Sequence, residues 1–523
     1  MRKWLPLIAI CLGSFMLLID VTIVNVALPD MATNLHTTFS SLQWVLDGYA
    51  LVLAALLMGV GGFADLVGHR RVYVAGLAVF AASSLACGIA PDAGVLVAAR
   101  FVQGAGAAAM FATTFALLNA SYAGKDRGVA YGVWGAVSGA AAAVGPIVGG
   151  VLTQALDWRW IFFVNLPLTV VALALTLAVF ATDAADRTRR VDAIGTATFT
   201  AFAGVVTFAL IRANELGWTS GTVIGCLVAG GGALVAFTLS QRYGRHAMLD
   251  LALLRNRSFV GVLVAALAVN FAAFAALTYV SIWLQSVLGM SPIGAGLVSL
   301  PLSVAAFALS AVVGRRLHGA NPGPIIGGGL LLIGAGAVAD GLLLHAHAGW
   351  TALLPGYVLA GLGTGLAIPT MSSTAMGAVP MNRAGMAAGA VNTARQLSFA
   401  IGIAVLGTAF TSRISSYLAG HGTPHAADAA RALSGGQAQR LLGTLPAAQR
   451  PHVDAVIHAA TASGLQATFY GAAVVGVLAG LAALVLIRPA RVAAAAAAPG
   501  AEPAHAEPAT DAGRATDEEP LAV

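Results

Sequence analysis

Apolar runs long enough to cross a bilayer follow one another from residue 5 to residue 487, separated by short segments rich in charge or glycine. A crossing helix needs roughly 20 mostly apolar residues, and reading the runs against that length yields about fourteen spans. They lie near 5–29, 43–63, 72–90, 94–119, 129–155, 161–181, 193–212, 221–241, 258–286, 292–314, 324–345, 351–378, 384–411 and 465–487. A water-soluble fold is excluded by the same feature. Only 9% of the residues are charged and 59% are hydrophobic, whereas soluble domains carry about 25% charged residues. A lipid-facing surface needs no polar coat, so the sequence specifies an all-α polytopic membrane protein of about 14 transmembrane helices.

The basic residues follow the spans and form no single face. With the N-terminus inside, the inner segments hold Arg2 and Lys3, Arg70 and Arg71, Lys125 and Arg127, and Arg187, Arg189 and Arg190. They continue with Arg242, Arg245, Arg255 and Arg257, then Arg315 and Arg316, Arg383, and Arg488 and Arg491. The short outer segments hold Arg159 and Arg212; a long outer loop near 412–464 holds Arg413, Arg431, Arg440 and Arg450. An even number of spans with both termini cytoplasmic satisfies the positive-inside rule. The net charge of +6 therefore reads as topology, not as a nucleic-acid surface. The apolar run after Arg2-Lys3 continues past Asp20 to Pro29 without a small-residue cleavage site, so it reads as a permanent helix in the cytoplasmic membrane. Cys11, Cys87 and Cys226 fall inside spans with no CxxC spacing, which argues against a disulfide framework or a zinc site.

An internal repeat is visible in the glycines. A shift of 257 residues brings Gly104 and Gly106 onto Gly361 and Gly363, Gly128 and Gly132 onto Gly385 and Gly389, and Gly145 and Gly150 onto Gly402 and Gly407. This frame implies two parallel six-helix repeats, 1–181 and 258–491, with two inserted helices in 182–257 and a disordered tail over 492–523.

Within this frame a few residues break the apolar rule. Asp20 lies about 22 Å along the first helix at 1.5 Å per residue. A carboxylate at such depth needs a partner, a proton or water, and it serves either proton handling or a fixed hydrogen bond. Arg100 and Arg395 are the basic residues well inside spans. Neither deprotonates usefully; Arg100 either tunes a neighbouring acid or bonds helix carbonyls. Arg395, with Asn392 and Gln396 at helical spacing, forms a polar stripe suited to a cavity wall. Asn25, Gln103, Asn270 and Phe274 complete the candidate substrate cavity. Phe271, Tyr279 and Trp283 on the ninth helix read either as a surface for flat compounds or as lipid contact. Trp4, Trp44 and Trp350 read as interfacial anchors, and Asp47 and Asp340 as acids near solvent. In the loop after the second helix, Asp65 is placed to bond a helix N-terminus or an Arg, and Gly68 permits a tight turn. In the fifth helix, Gly135 and Gly139, then Gly145 and Gly149, form small-xxx-small frames beside Pro146 and Gly150.

Several of these segments resemble those of one family. Gly61, Asp65, Gly68 and Arg70 sit as in the signature loop of the major facilitator superfamily, with His69 where that family usually has Arg. Leu18 through Pro29 resembles the first-helix motif of the fourteen-helix drug:proton antiporter branch. Arg100 to Gly106 resembles the fourth-helix motif associated with proton coupling, and Gly135, Gly139, Gly145-Pro146 and Gly149-Gly150 the fifth-helix antiporter motif. Trp158 to Phe162, with Asn165 and Pro167, Leu284 to Pro292, and Asn392 to Gln396 are similar to that branch as well. The resemblance covers about residues 5–487. It implies alternating access driven by protons and export of drugs, antibiotics or lipophilic cations, with Asp20 and Arg100 in proton coupling. Its expected partners are the lipid bilayer, protons and a small-molecule substrate, with no nucleic acid, cofactor, metal or obligate protein partner. A dedicated exporter of one self-made metabolite shares every one of these features. A polytopic membrane enzyme would need a ligand cluster, and His345 and His347 have no evident third member.

Overall fold

The computed structural model describes residues 2–37, 39–181, 192–244, 249, 251–316, 320–379, 384–443, 446 and 448–488. The expected tail, 492–523, lies outside them, as does the basic segment near 187–190. The described residues fold into long helices. Helices α1 (Leu5–Asn34), α2 (Phe39–Val67), α3 (His69–Gly88), α4 (Ala93–Ser121), α5 (Gly124–Ala155) and α6 (Asn165–Val179) form the first six. Next come α7 (Ala193–Leu216) and α8 (Gly221–Tyr243). The last six are α9 (Arg257–Ala273), α10 (Leu300–Arg316), α11 (Pro322–Leu343), α12 (Leu354–Gly377), α13 (Ala384–Gly420) and α14 (Arg450–Leu486). Among the described residues 13 helical segments are long and apolar enough to cross a membrane. Helix α5, 32 residues long, has the length to make the fourteenth.

Local chemistry starts and stops these rods. Asp92, Asp192, Asn256 and Asn321 accept backbone N–H bonds at the first turns of α4, α7, α9 and α11. Gly68 joins α2 to α3 with φ of 109°, a backbone conformation that side chains disfavour. Successive helices alternate in direction, so the start of α1 and the ends of α6, α12 and α14 share one end of the bundle, the near end. There Tyr122 Oη donates to the Lys3 carbonyl and accepts from the Leu7 N–H, both at 3.0 Å. Ser258 and Arg488 also meet there. At the far end Arg159 bonds Asn34 and the Ala90 carbonyl, and Gln466 bonds the Leu344 carbonyl.

The repeat seen in the glycines is a packing repeat. A Cβ on Gly106 would lie 2.8 Å from Phe80 N and 3.0 Å from the Gly76 carbonyl oxygen, so α4 and α3 touch backbone to backbone. Gly363, its repeat mate, meets α11 in the same way at Ile333 N, 2.9 Å. Helices α7 and α8 pair with each other. They pack outside α2 through Thr196 at Gly59, and Trp218 Nε1 donates to Thr408 Oγ1 of α13 at 2.6 Å.

The apolar core is distributed unevenly. At the near end one cluster spans both halves, joining Leu57, Tyr131 and Trp134 to Met371, Met376, Met386 and Val391. Toward the far end the halves keep separate cores, one around Ile23, Val45 and Phe162 and the other around Tyr279, Phe410 and Phe469. Helix α5 still meets the second half on that side, where Gly150 faces Ile293, in the short helix Pro292–Val298 that precedes α10.

Two sequence expectations change. The stretch 412–464 is not a long loop: α13 runs on to Gly420, Ala426–Ser434 and Ala438–Gly443 are helical, and α14 starts at Arg450. Polar residues cap and interrupt these helices beyond the apolar windows, which is why hydropathy alone ended the spans early. The ninth span is not one continuous rod. Helix α9 stops at Ala273, resumes over Ala276–Ile282, and ends in a π-helical turn at Trp283–Val287. The break forms because both Phe274 N and Ala275 N bond the Asn270 carbonyl at 3.1 Å.

Candidate functional site

The two charges that sequence placed deepest in the first half meet. Asp20 of α1 and Arg100 of α4 are each 0% exposed, and Arg100 Nη1 donates to Asp20 Oδ2. The helical spacing of Arg100 and Gln103 puts both on one face of α4, and Gln103 Oε1 accepts from Arg100 Nη1 at 2.8 Å. Gln103 Nε2 then donates to Asp20 Oδ1 at 3.1 Å and to Ser84 Oγ of α3 at 2.7 Å. Asn165, the first residue of α6, donates Nδ2 to Asp20 Oδ1 at 3.2 Å. Arg100 Nε donates to the Val45 carbonyl of α2 at 2.8 Å, and the guanidinium lies 4.2 Å from the Tyr49 ring centroid. Five helices thus converge on one buried ion pair.

The energetics of such a pair are two-sided. Both ions lose hydration, and the hydrogen bonds around them offset part of that loss, with Arg100 Nη2 buried and unbonded. Removing one partner costs about 3–5 kcal/mol because the other stays buried and uncompensated. The chemistry this arrangement can perform follows. Protonation of Asp20 would remove the negative charge that holds Arg100, at a point where five helices meet. Gly145 and Gly149 of α5 lie against the same stretch of α1. A Cβ on Gly149 would sit 2.9 Å from the Ile23 carbonyl oxygen, and one on Gly145 2.9 Å from Thr22 Cβ.

The near-end loop forms a second constellation. Asp65 Oδ2 accepts the Met386 N–H at 3.1 Å, across 321 positions of sequence, in the first turn of α13. Its other oxygen lies 3.3 Å from His69 Nε2. Arg70 Nη2 donates to the Leu177 carbonyl at the end of α6, 3.1 Å away. Gly61 is buried in the last turns of α2. This acid therefore joins the first half to the second, on the same side as the shared apolar cluster.

Helices α9 and α13 carry the third group. Asn270 Nδ2 donates to the Arg395 carbonyl at 3.1 Å. Asn270 Oδ1, both amide atoms of Asn392, Thr393 Oγ1, and Arg395 Nε and Nη1 are buried without a hydrogen-bond partner. An uncompensated Arg at the centre of a membrane helix costs at least about 2.5 kcal/mol. Phe274 is partly buried between the near-end and far-end clusters, and Gln396 is partly exposed.

Other expectations are redistributed. Gln103, expected in the cavity, is consumed by the ion-pair cluster, because its spacing from Arg100 points it at Asp20. Phe271, Tyr279 and Trp283 face neither lipid nor cavity. They are buried in the second-half core, and Tyr279 Oη bonds the Ile403 carbonyl at 2.6 Å. Asp340 is not solvated: it is 2% exposed, with its carboxyl against Gly356 in the first turn of α12. Asp47 is partly buried. Trp4 stacks on Tyr122 and Trp44 on Phe101, so both pack within the protein, while Trp350 is exposed. The side chains of Asn25 and Pro146, and the surroundings of Gly139, lie outside what is described. Ser84, Tyr49 and the Val45 carbonyl were not foreseen. The adjacent Ser83 and Ser84 in an otherwise apolar α3 were the available signal.

The model of the Major Facilitator Superfamily matches residues 10–403, more than half of the chain. The chain belongs to the Major Facilitator Superfamily. It is a multi-pass membrane transporter of that superfamily. Multidrug resistance protein Stp of Mycobacterium tuberculosis (strain CDC 1551 / Oshkosh) is 36% identical over 418 residues, covering 80% of this chain and 78% of that protein. Puromycin resistance protein pur8 of Streptomyces alboniger is 36% identical over 433 residues, covering 82% and 85%. Among solved structures, the human organic anion transporter MFSD10 (TETRAN) superposes with a TM-score of 0.58 at 15% identity, covering 92% of this chain and 99% of that one. At that identity the likeness speaks for the fold alone.

Proposed function

We propose that this superfamily member is a proton-driven exporter of small organic compounds across the cytoplasmic membrane, and not an enzyme. The observation that carries the reading is the sealed Asp20–Arg100 pair with Gln103, Ser84 and Asn165 around it. A carboxylate so placed has to exchange its partner for a proton if it is to do more than hold helices together. Resistance proteins among the relatives support outward transport of toxic compounds. One of those names denotes many drugs and the other a single antibiotic, so a broad pump and a dedicated exporter both fit.

In this reading the near end faces the cytoplasm, with both termini there. The shared apolar cluster and the Asp65–Met386 bond keep it shut, while the separate far-end cores let the outer side part. A proton reaching Asp20 from outside frees Arg100, and α1 shifts against the glycine face of α5. The two six-helix halves, roughly 1–181 and 258–491, then rock about the cavity, with 182–257 as a peripheral pair. A membrane potential of 100 mV supplies about 2.3 kcal/mol per proton, enough for roughly fifty-fold accumulation. The test is gradient collapse: in everted vesicles with an acid interior, adding transported compounds discharges the proton gradient. A panel of cations, antibiotics and dyes with no effect on that gradient would contradict the reading; its breadth separates a broad pump from a dedicated one.

A further inference from the structure

Arg100 and Arg395 are both arginines at membrane depth, yet their surroundings differ. Arg100 is neutralised by Asp20. Among the described residues no carboxylate pairs with Arg395, and its Nε and Nη1 make no hydrogen bond. Arg395 lies about 16 Å into α13, and Asn270 about 20 Å into α9, both counted from the near end at 1.5 Å per residue. The two residues are tied at that level by the Asn270 Nδ2 bond to the Arg395 carbonyl. At the same level, Asn270 Oδ1 and both amide atoms of Asn392, three residues before Arg395 on α13, are also buried and unbonded. Four residues beyond Asn270 the helix breaks at Phe274 and Ala275. Irregular backbone at such depth is tolerated where it is buried in protein or lines a cavity, and interrupted helices mark binding sites in transporters.

One positive charge and a set of idle amide donors and acceptors at a single level define a ligand of opposite charge. A cation would add to the local charge and a neutral compound would leave it unbalanced. We propose that Arg395, with Asn270 and Asn392, forms an anion-reading subsite, and that compounds carried by this chain include aromatic carboxylates or phenolates. The guanidinium fork takes the anionic oxygens, the asparagines bond flanking carbonyl or hydroxyl groups, and Phe274 contacts the ring. This assignment rests on the exporter reading for its biological sense, though not for its binding chemistry.

The experiment uses the full chain in detergent and two xanthene dyes of opposite charge, fluorescein (anionic) and rhodamine 123 (cationic). Binding is followed by fluorescence anisotropy, and transport in everted vesicles. Fluorescein is expected to bind, Arg395→Gln to weaken it by at least about tenfold, and Arg395→Lys to lose less, as expected for a charge-assisted bond. Rhodamine 123 affinity is expected to stay level or improve in Arg395→Gln. Asn392→Ala, which keeps the charge, covers the case in which the arginine variants fail to fold; it is expected to weaken fluorescein alone. Rhodamine 123 binding without fluorescein binding, or an equal loss of both dyes in each variant, overturns the proposal. Fluorescein binding that depends on Arg395 without gradient-driven movement upholds the subsite and instead contradicts proton-driven export.

Discussion

Asp65→Asn isolates the electrostatic part of the near-end closure. The carboxylate accepts the Met386 N–H at 3.1 Å and faces the first turn of α13, whose unpaired N–H groups carry partial positive charge. Asparagine keeps an acceptor of similar shape but removes the charge. A carboxylate at a helix N-terminus contributes about 0.3–1 kcal/mol, up to about 2 in partly buried geometry, and a charge-assisted bond is roughly twice as strong as a neutral one. The expected loss is about 1–2 kcal/mol, a factor of roughly 5–30 in the ratio of near-closed to near-open molecules. A protein about 95% closed at that end would fall to roughly 40–80% closed. Spin labels at Ala123→Cys and Gly377→Cys, both exposed and on different halves, report the distance across the near end. Cys226→Ser removes the partly exposed native thiol, while Cys11 and Cys87 are buried. A longer-distance population should grow in Asp65→Asn and grow further in Asp65→Ala. Distance distributions unchanged in both variants would refute the latch and leave the apolar cluster as the sole closure.

Arg100→Gln should destabilise the detergent-solubilised protein by about 3–5 kcal/mol, because Asp20 is left buried without its cation. The double variant with Asp20→Asn should recover part of that loss, and thermal unfolding reads both; additive losses would contradict a coupled pair. Gly106→Ala drives a methyl group to 2.8 Å from Phe80 N and should cost about 1–3 kcal/mol in the same assay. Tyr122→Phe removes the hydroxyl that holds Lys3 and Leu7, about 0.5–1.5 kcal/mol per bond, and should speed amide exchange at Leu7 while leaving α11 unaffected.

The helices were legible because each is a local event: an apolar run of crossing length, opened by a cap such as Asp92 or Asn321 and closed by charge or glycine. The repeat was legible for the same reason, since Gly106 and Gly363 are needed wherever two helix backbones touch. Pairing was not. Asp20 and Arg100 stand 80 positions apart, and nothing in either segment states that Gln103 turns toward the acid and away from a cavity. The burial of Asp340 was hidden similarly, because hydropathy places it near a helix end while Gly356 on α12 makes the space that encloses it. The extra turns of α13 and α14 escaped because polar residues such as Arg413 and Asp454 lie within helix that hydropathy reads as loop.

Gradient discharge in everted vesicles, compared between the wild-type chain and Asp20→Asn, tests the central claim most directly. Asparagine keeps the size of Asp20 and an acceptor for Arg100 but carries no charge and no proton. It also turns an NH2 toward the Gln103 and Asn165 donors, so the variant is compared only once thermal unfolding shows it folded. Compound-induced loss of the gradient with the wild type and none with Asp20→Asn is the result predicted here. Equal discharge by both proteins would contradict it, reducing the Asp20–Arg100 pair to a structural clamp.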